Sequence, residues 1–234
     1  MGNIRLYWRR VVVAAGVLAL SMIALLPAQS ASATNKNPTV LPPNSAAFGA
    51  TYAEWNNRWW QWAASVPADR NPVTDTTGEH CAEGQSGRVW FLAGTAGTGS
   101  VTRTCTVPAG RALFFPIVNS LCAADPGTDK DPAIQRQCAS DSLKNASGTA
   151  EIDGTAVQNL SNYFVDPNTS PTFSLNLPPN NYFGAPPDTY TPAVAGGIYL
   201  LLAPLTPGKH LIEFHGSSAA ATSIDVTYQL TVKA

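Results

Sequence analysis

Charge is what this chain has least of: Asp, Glu, Lys and Arg make up 12% of its 234 residues, about half the usual share of a soluble domain. Neither sign prevails. With 14 Lys and Arg against 15 Asp and Glu the formal net charge is −1, so charge alone points to no nucleic-acid or other polyanion partner. No Cys-x-x-Cys pair is present, which removes zinc-ribbon and thioredoxin-type readings, and no Gly-x-Ser-x-Gly elbow exists to expose an activated serine. Histidine occurs three times, as His80, His210 and His215, without a second metal ligand at helical spacing. His210 and His215 also fall on opposite strand faces by parity, so zinc is not supported. No cofactor fingerprint stands out. What the chain does have is 44% hydrophobic and 9% aromatic residues, enough to build a core and to exclude wholesale disorder despite 18 Gly and 19 Pro.

The first 33 residues read as a targeting segment outside the fold. Arg5, Arg9 and Arg10 precede an apolar run from Val11 to Ala28, and Ala31-Ser32-Ala33 supplies the small residues a signal peptidase needs. An uncleaved anchor is the alternative, because the run approaches the length that crosses a bilayer. Cleavage after Ala33 removes three arginines and no acid, leaving a mildly acidic chain with no membrane segment. Residues 34–48 are expected as an extended leader and 49–234 as one domain.

Cys81, Cys105, Cys122 and Cys138 all lie beyond the signal, and an even count in an exported chain points to disulfides. Of three possible pairings, Cys81 with Cys105 and Cys122 with Cys138 is favoured, since each closes a short loop. Each bridge stabilises by about 3 kcal/mol through restriction of the unfolded chain.

Thr51 followed by Glu54 is a capping box, and Pro67 closes the helix that it opens. On a 3.6-residue period Tyr52, Trp55, Trp59, Trp62, Ala63 and Val66 share one face, with Glu54, Asn57, Arg58 and Gln61 opposite. Trp60 lies at the edge of the stripe and is the aromatic expected to be exposed. Asp131 before Pro132 marks the cap of a second, short helix to Asn145.

From Arg88 onward, short apolar or β-branched runs alternate with Gly, Pro, Asn and Asp, the texture of an all-β domain. Nine strands are expected: Val89 to Ala93, Val101 to Val107, Ala112 to Val118, Thr149 to Asp153, Tyr163 to Val165, Thr172 to Leu177, Ile198 to Ala203, His210 to His215 and Ile224 to Val232. Asp153-Gly154 is a tight-turn signal. Residues 178–193, with five prolines, read as a long surface loop. The fold class is thus mainly β: a single sandwich or jelly-roll-like domain with an N-terminal amphipathic aromatic helix and one further short helix.

The runs TYAEWNNRWWQWAASVP, DTTGEHCAEGQSGRVWFLAG, CTVPAGRALFFPIVN, LLLAPLTPGKHLIEFHG and DVTYQLTV resemble a group of exported bacterial proteins without an assigned activity. The resemblance spans nearly the whole chain after the signal. It implies export, and it carries no reaction and no catalytic residue onto positions here.

Candidate chemistry falls in three places. In the last hairpin, matching Phe214 to Val226 sets His215 beside Asp225, with Glu213 on the same polar face, and an acid facing a histidine orients the ring for acid–base catalysis. Asp75, Glu79, His80 and Glu83 crowd a loop tied down by Cys81. They are candidate binding residues together with Trp60, or a carboxylate pair for glycoside hydrolysis, although Asp75 after Pro72 reads equally as a turn former. Asp125, Asp129 and Asp131 form an oxygen-rich run of the kind calcium takes, without EF-hand spacing and with Lys130 among them; beyond that calcium reading no cofactor is expected. The leading functional expectation is an extracellular protein binding a carbohydrate or another cell-envelope polymer. A secreted hydrolase is the second reading, and a structural envelope protein the third. Material exported by a bacterial host should begin at or near Thr34 by N-terminal sequencing; a chain beginning at Met1 rejects cleavage.

Overall fold

The computed structural model describes residues 39–96, 99–128, 130–221 and 223–234; the expected signal segment and Asp129 lie outside them. Its strands are β1 (Val89–Phe91), β2 (Gly99–Pro108), β3 (Ala112–Ala123), β4 (Ser147–Ile152), β5 (Thr155–Ala156), β6 (Phe164–Val165), β7 (Phe173–Asn176), β8 (Thr189–Leu202), β9 (Gly208–Ser217) and β10 (Ile224–Lys233). Two five-stranded sheets result. One has the order β1-β3-β8-β6, with β7 also paired to β8, and the other β2-β10-β9-β4-β5. The class is mainly β, and the nine expected strands are all present. The tenth, β5, follows a turn in which Asp153 and Gly154 take φ of 52° and 74°, the left-handed pair that a tight hairpin needs.

Helix α1 (Tyr52–Ser65) begins at the expected capping box: Thr51 Oγ1 accepts from the Glu54 N–H at 3.3 Å, and Glu54 Oε2 accepts from the Thr51 N–H at 2.7 Å. The helix lies on the outer face of the first sheet, so β3 and β8 are covered on both sides. Phe114 points towards α1, with Tyr52 and Trp55 around it, while Phe115 points to the second sheet and stacks on Phe214 at 5.3 Å. Burial on both faces accounts for the unbroken apolar runs Leu113–Val118 and Ile198–Leu202, where a half-exposed strand would alternate. Trp55, Trp59 and Trp62 are core, and each indole N–H also reaches a carbonyl, on Ala47, Leu92 and Glu83 respectively.

In the second sheet, Val226 pairs with Phe214 and Asp225 with His215, the register read from the alternation of apolar and polar residues. The sheets approach closely where β3 bulges at Ile117. There the cross-strand partners Gly148 and Gly216 present no side chain, and a Cβ on Gly216 would collide with the Ile117 carbonyl.

Three expectations change. Asn57, placed on the polar face of α1, is buried, and its amide donates to the Pro171 carbonyl at 2.9 Å. The stretch expected as a loop to Ala193 becomes strand from Thr189. The leader is built into the sheet from Val40: Leu41 N–H bonds the Leu201 carbonyl at 2.8 Å, and the buried Tyr52 hydroxyl donates to the Leu41 carbonyl at 2.7 Å. Both disulfides form as favoured, Cys81–Cys105 and Cys122–Cys138, each with Cα atoms 6.1 Å apart. The second anchors helix α2 (Pro132–Ser142) to β3; the first fastens the segment after α1 to β2.

That segment, residues 71–85, has no regular structure and is held by side chains. Asn71 donates to the Ala63 and Val66 carbonyls at 2.8 and 2.7 Å, satisfying acceptors that the end of α1 leaves open. Arg103 on β2, 1% exposed, reaches the same segment. Its guanidinium donates to the carbonyls of Asp75 at 2.7 Å, Ala93 at 3.0 Å and Val73 at 3.3 Å, and to the Tyr228 hydroxyl at 3.1 Å. Replacing Arg103 with Met leaves these carbonyls without a donor, at about 1–3 kcal/mol for each that stays buried. Arg103→Met should therefore lower unfolding free energy by about 3 kcal/mol or more in urea titration with the disulfides intact; a loss below about 1 kcal/mol rejects the role assigned to the guanidinium.

Candidate functional site

The three groups marked in the sequence are placed apart from one another. On the outer face of the second sheet, His215 Nδ1 lies 3.3 Å from Asp225 Oδ1, with side chains 60% and 36% exposed. Ser100 Oγ donates to the other oxygen of Asp225 at 2.8 Å. The serine thus bonds the acid and not the imidazole, the reverse of the order in which a histidine activates a hydroxyl. Glu213, two residues along the same face, is paired with Thr227 and Glu151. Beside His215 is a shallow recess of about 370 Å³ lined by Ser147, Thr149, Ser217 and Ser223. Solvated pairs of this kind contribute little, about 0–1 kcal/mol.

In the 71–85 segment, Asp75 Oδ1 accepts from the Thr77 N–H and Thr77 Oγ1, both at 2.8 Å, and Oδ2 accepts from the His80 N–H at 2.9 Å. Burial pushes this carboxyl up, but the N–H donors of His80 and Thr77 outweigh it and hold it below its ordinary value. Asp75 is therefore a turn-forming carboxylate that stays ionised, the opposite of the raised acid that glycoside hydrolysis needs. Glu83 is 3.6 Å from Arg70 at the surface, and Glu79 is exposed. For calcium, Asp131 is engaged as the cap of α2, accepting from the Ala133 N–H at 2.9 Å. Among the described residues no cluster of three or more His, Cys, Asp or Glu is placed to hold a metal ion.

A different site emerges where α1, β3, the start of β10 and the 177–188 loop meet. It is a pocket of about 390 Å³. Trp60 comes from α1, Val73 from the segment after it, Thr95 from the turn following β1, Asn119 from β3, and Tyr182 and Phe183 from the loop; alanines of the β9–β10 connection complete the wall. Here the expectation for Trp60 is corrected. It is 8% exposed, because Trp59 packs against it edge-on at 5.0 Å and Phe183 lies nearly parallel to it at 6.5 Å; the pocket-facing part is what the core leaves open. Tyr182 and Phe183 are themselves 4.1 Å apart, and Phe183 is 41% exposed.

The loop carrying them is preorganised. Buried Asn181 donates to the Pro178 and Ala185 carbonyls at 2.9 and 2.8 Å, and the Ala68 N–H bonds the Asn180 carbonyl at 2.7 Å. Behind the pocket, the Asn119 amide donates to the Tyr199 hydroxyl at 3.1 Å. The buried Trp60 N–H is directed at that same hydroxyl, short of full hydrogen-bond geometry. Burial pushes the Tyr182 and Tyr199 phenols up, so both remain neutral. No Asp, Glu, His, Lys or Arg is among the lining residues described. The signal for this site was present as Tyr182 and Phe183, adjacent aromatics in a loop otherwise rich in Pro and Asn. What brings them to Trp60 is not local.

No family model and no curated protein matches the chain. The chain is similar to a solved structure described as "Structure of PbICP-C in complex with falcipain-2", with 14% identity over 63% of this chain and all of that one; at a TM-score of 0.25 the likeness carries no argument.

His210 has a structural role. Its Nδ1 lies 2.7 Å from Asp153 Oδ2 and its Nε2 2.8 Å from the Thr206 carbonyl, an arrangement in which only the protonated ring donates both bonds. Partial burial opposes the charge, but Asp153 and Thr206 outweigh it and raise the pKa. Stability from these bonds is complete below the unfolded value of about 6.5 and is lost as pH rises through the higher folded value. The melting temperature of wild type should therefore exceed that of Asp153→Asn most at pH 5–6, with the gap narrowing above; a gap independent of pH rejects the charged pair. Asn is chosen because it tolerates the left-handed φ at 153.

Proposed function

We propose that this is an exported extracellular binding protein whose ligand is a carbohydrate, free or as part of a cell-envelope polymer. The observation that carries this reading is the preformed pocket of Trp60, Tyr182 and Phe183, with Asn119 and Thr95 as neutral hydrogen-bonding groups. Aromatic faces take the apolar faces of a sugar ring, and a few fixed polar groups orient its hydroxyls. The basic-apolar N-terminal pattern and two disulfides support an oxidising, extracytoplasmic setting. Among the described residues no helix is long and apolar enough to cross a membrane.

The hydrolase reading draws less support. Among the described residues the pocket lining holds no carboxylate to give or take a proton, and the carboxylates marked in the sequence lie elsewhere, exposed or engaged as turn formers. A purely structural role leaves a half-exposed Phe183 and a preorganised loop without a purpose.

Phe183 is the residue to vary, since Trp60 is part of the core and its truncation would cost about 3–5 kcal/mol of stability. On a panel of immobilised glycans the protein should retain specific members. Phe183→Ala should weaken that retention by about tenfold or more with only a small drop in melting temperature. Retention of no glycan, or full retention by Phe183→Ala, rejects the pocket as the binding site.

A further inference from the structure

We propose that the Trp60–Tyr182–Phe183 pocket takes an uncharged sugar ring and discriminates against the carboxylated counterpart of that ring. The inference rests on the carbohydrate reading above and narrows its ligand class. Three observations carry it.

Among the described residues the lining offers only neutral groups: Asn119 and Thr95 as polar side chains, aromatic faces from three residues, and an aliphatic wall. A carboxylate drawn into such a pocket exchanges water for partners that bring no opposite charge, and an unpaired buried charge is strongly disfavoured. A hydroxyl in the same place carries no charge to desolvate and costs far less.

The buried cation beside Val73 is engaged elsewhere. Arg103 bonds the carbonyl of the lining residue Val73, and its other donors are taken up by the Asp75 and Ala93 carbonyls and the Tyr228 hydroxyl. The Asp75 carboxylate accompanies it on the far side, held ionised by the Thr77 and His80 N–H groups.

The charge at the base of the loop has the wrong sign for an anion. Asp69 Oδ1 accepts from the Asn180 amide at 3.4 Å, two residues from Tyr182. The chain as a whole has 15 acids against 14 bases, and loss of the signal segment makes it more acidic. Long-range steering therefore opposes an anionic sugar as well.

Titration calorimetry of the secreted full chain tests this with matched probes: neutral hexoses, N-acetylhexosamines and neutral oligosaccharides, each beside the uronic or sialic acid form. A neutral member is expected to bind, with its carboxylated counterpart at least about tenfold weaker both at 20 mM and at 500 mM salt. Ala220→Lys adds a cation at an exposed lining position and should recover the acidic form at low salt. An acidic form binding wild type as tightly as the neutral one overturns the discrimination while leaving the carbohydrate reading in place. Absence of binding by every member of the panel overturns both.

Discussion

The buried guanidinium of Arg103 is the constraint on which the rest of the molecule depends. It projects inward from β2 and ends among backbone carbonyls of Val73, Asp75 and Ala93 with the Tyr228 hydroxyl beside it. A fully buried cation is tolerated only where its donors are matched, and here one side chain satisfies acceptors on two irregular segments that have no ladder to pair with. Tyr228 closes the arrangement, since its hydroxyl donates to the Ala93 carbonyl and accepts the Ala93 N–H, both at 2.9 Å. Burial pushes that phenol up and keeps it neutral, so it serves as both donor and acceptor. Two residues along β2, Cys105 ties the same segment covalently, and between these anchors Gly78 presses on the Thr104 backbone, where a Cβ would sit 2.5 Å from the carbonyl oxygen. The segment therefore packs against the edge of β2 and brings Val73 to the pocket wall.

The same economy of charge divides the surface by chemistry. Titratable groups that stand out in the sequence are used at the periphery: Asp75 shapes a turn, Asp131 caps a helix, His210 joins a hairpin turn to a loop, and His215 pairs with Asp225 in solvent. The pocket has neither acid nor base in its described lining. Its aromatic faces are held in place from behind, Trp60 by Trp59 and the loop of Phe183 by the Asn181 hydrogen bonds. A rigid wall of this kind reduces the ordering that a ligand would otherwise have to impose.

Local pattern determined a large share of the structure. The capping box, the tryptophan stripe and the pairing of His215 with Asp225 follow from spacing within a few residues or from the two-residue period of a hairpin, and the two disulfides join cysteines that are neighbours in the order of the chain. Such features are legible because 3.6 and 2 are periods of the backbone itself, and a one-residue slip in the last hairpin would turn its whole apolar set to water. Tertiary contact decided the rest. Trp60 and Asn57 are buried in contact with residues more than 110 positions away, Phe183 and Pro171, and the leader is ordered by the far end of β8. Periodicity states which side of an element is apolar, but not which loop will cover its edge. Asn181 folding its own loop, and that loop arriving over α1, are therefore what created the pocket from residues that in the sequence read as a surface turn and a stray tryptophan.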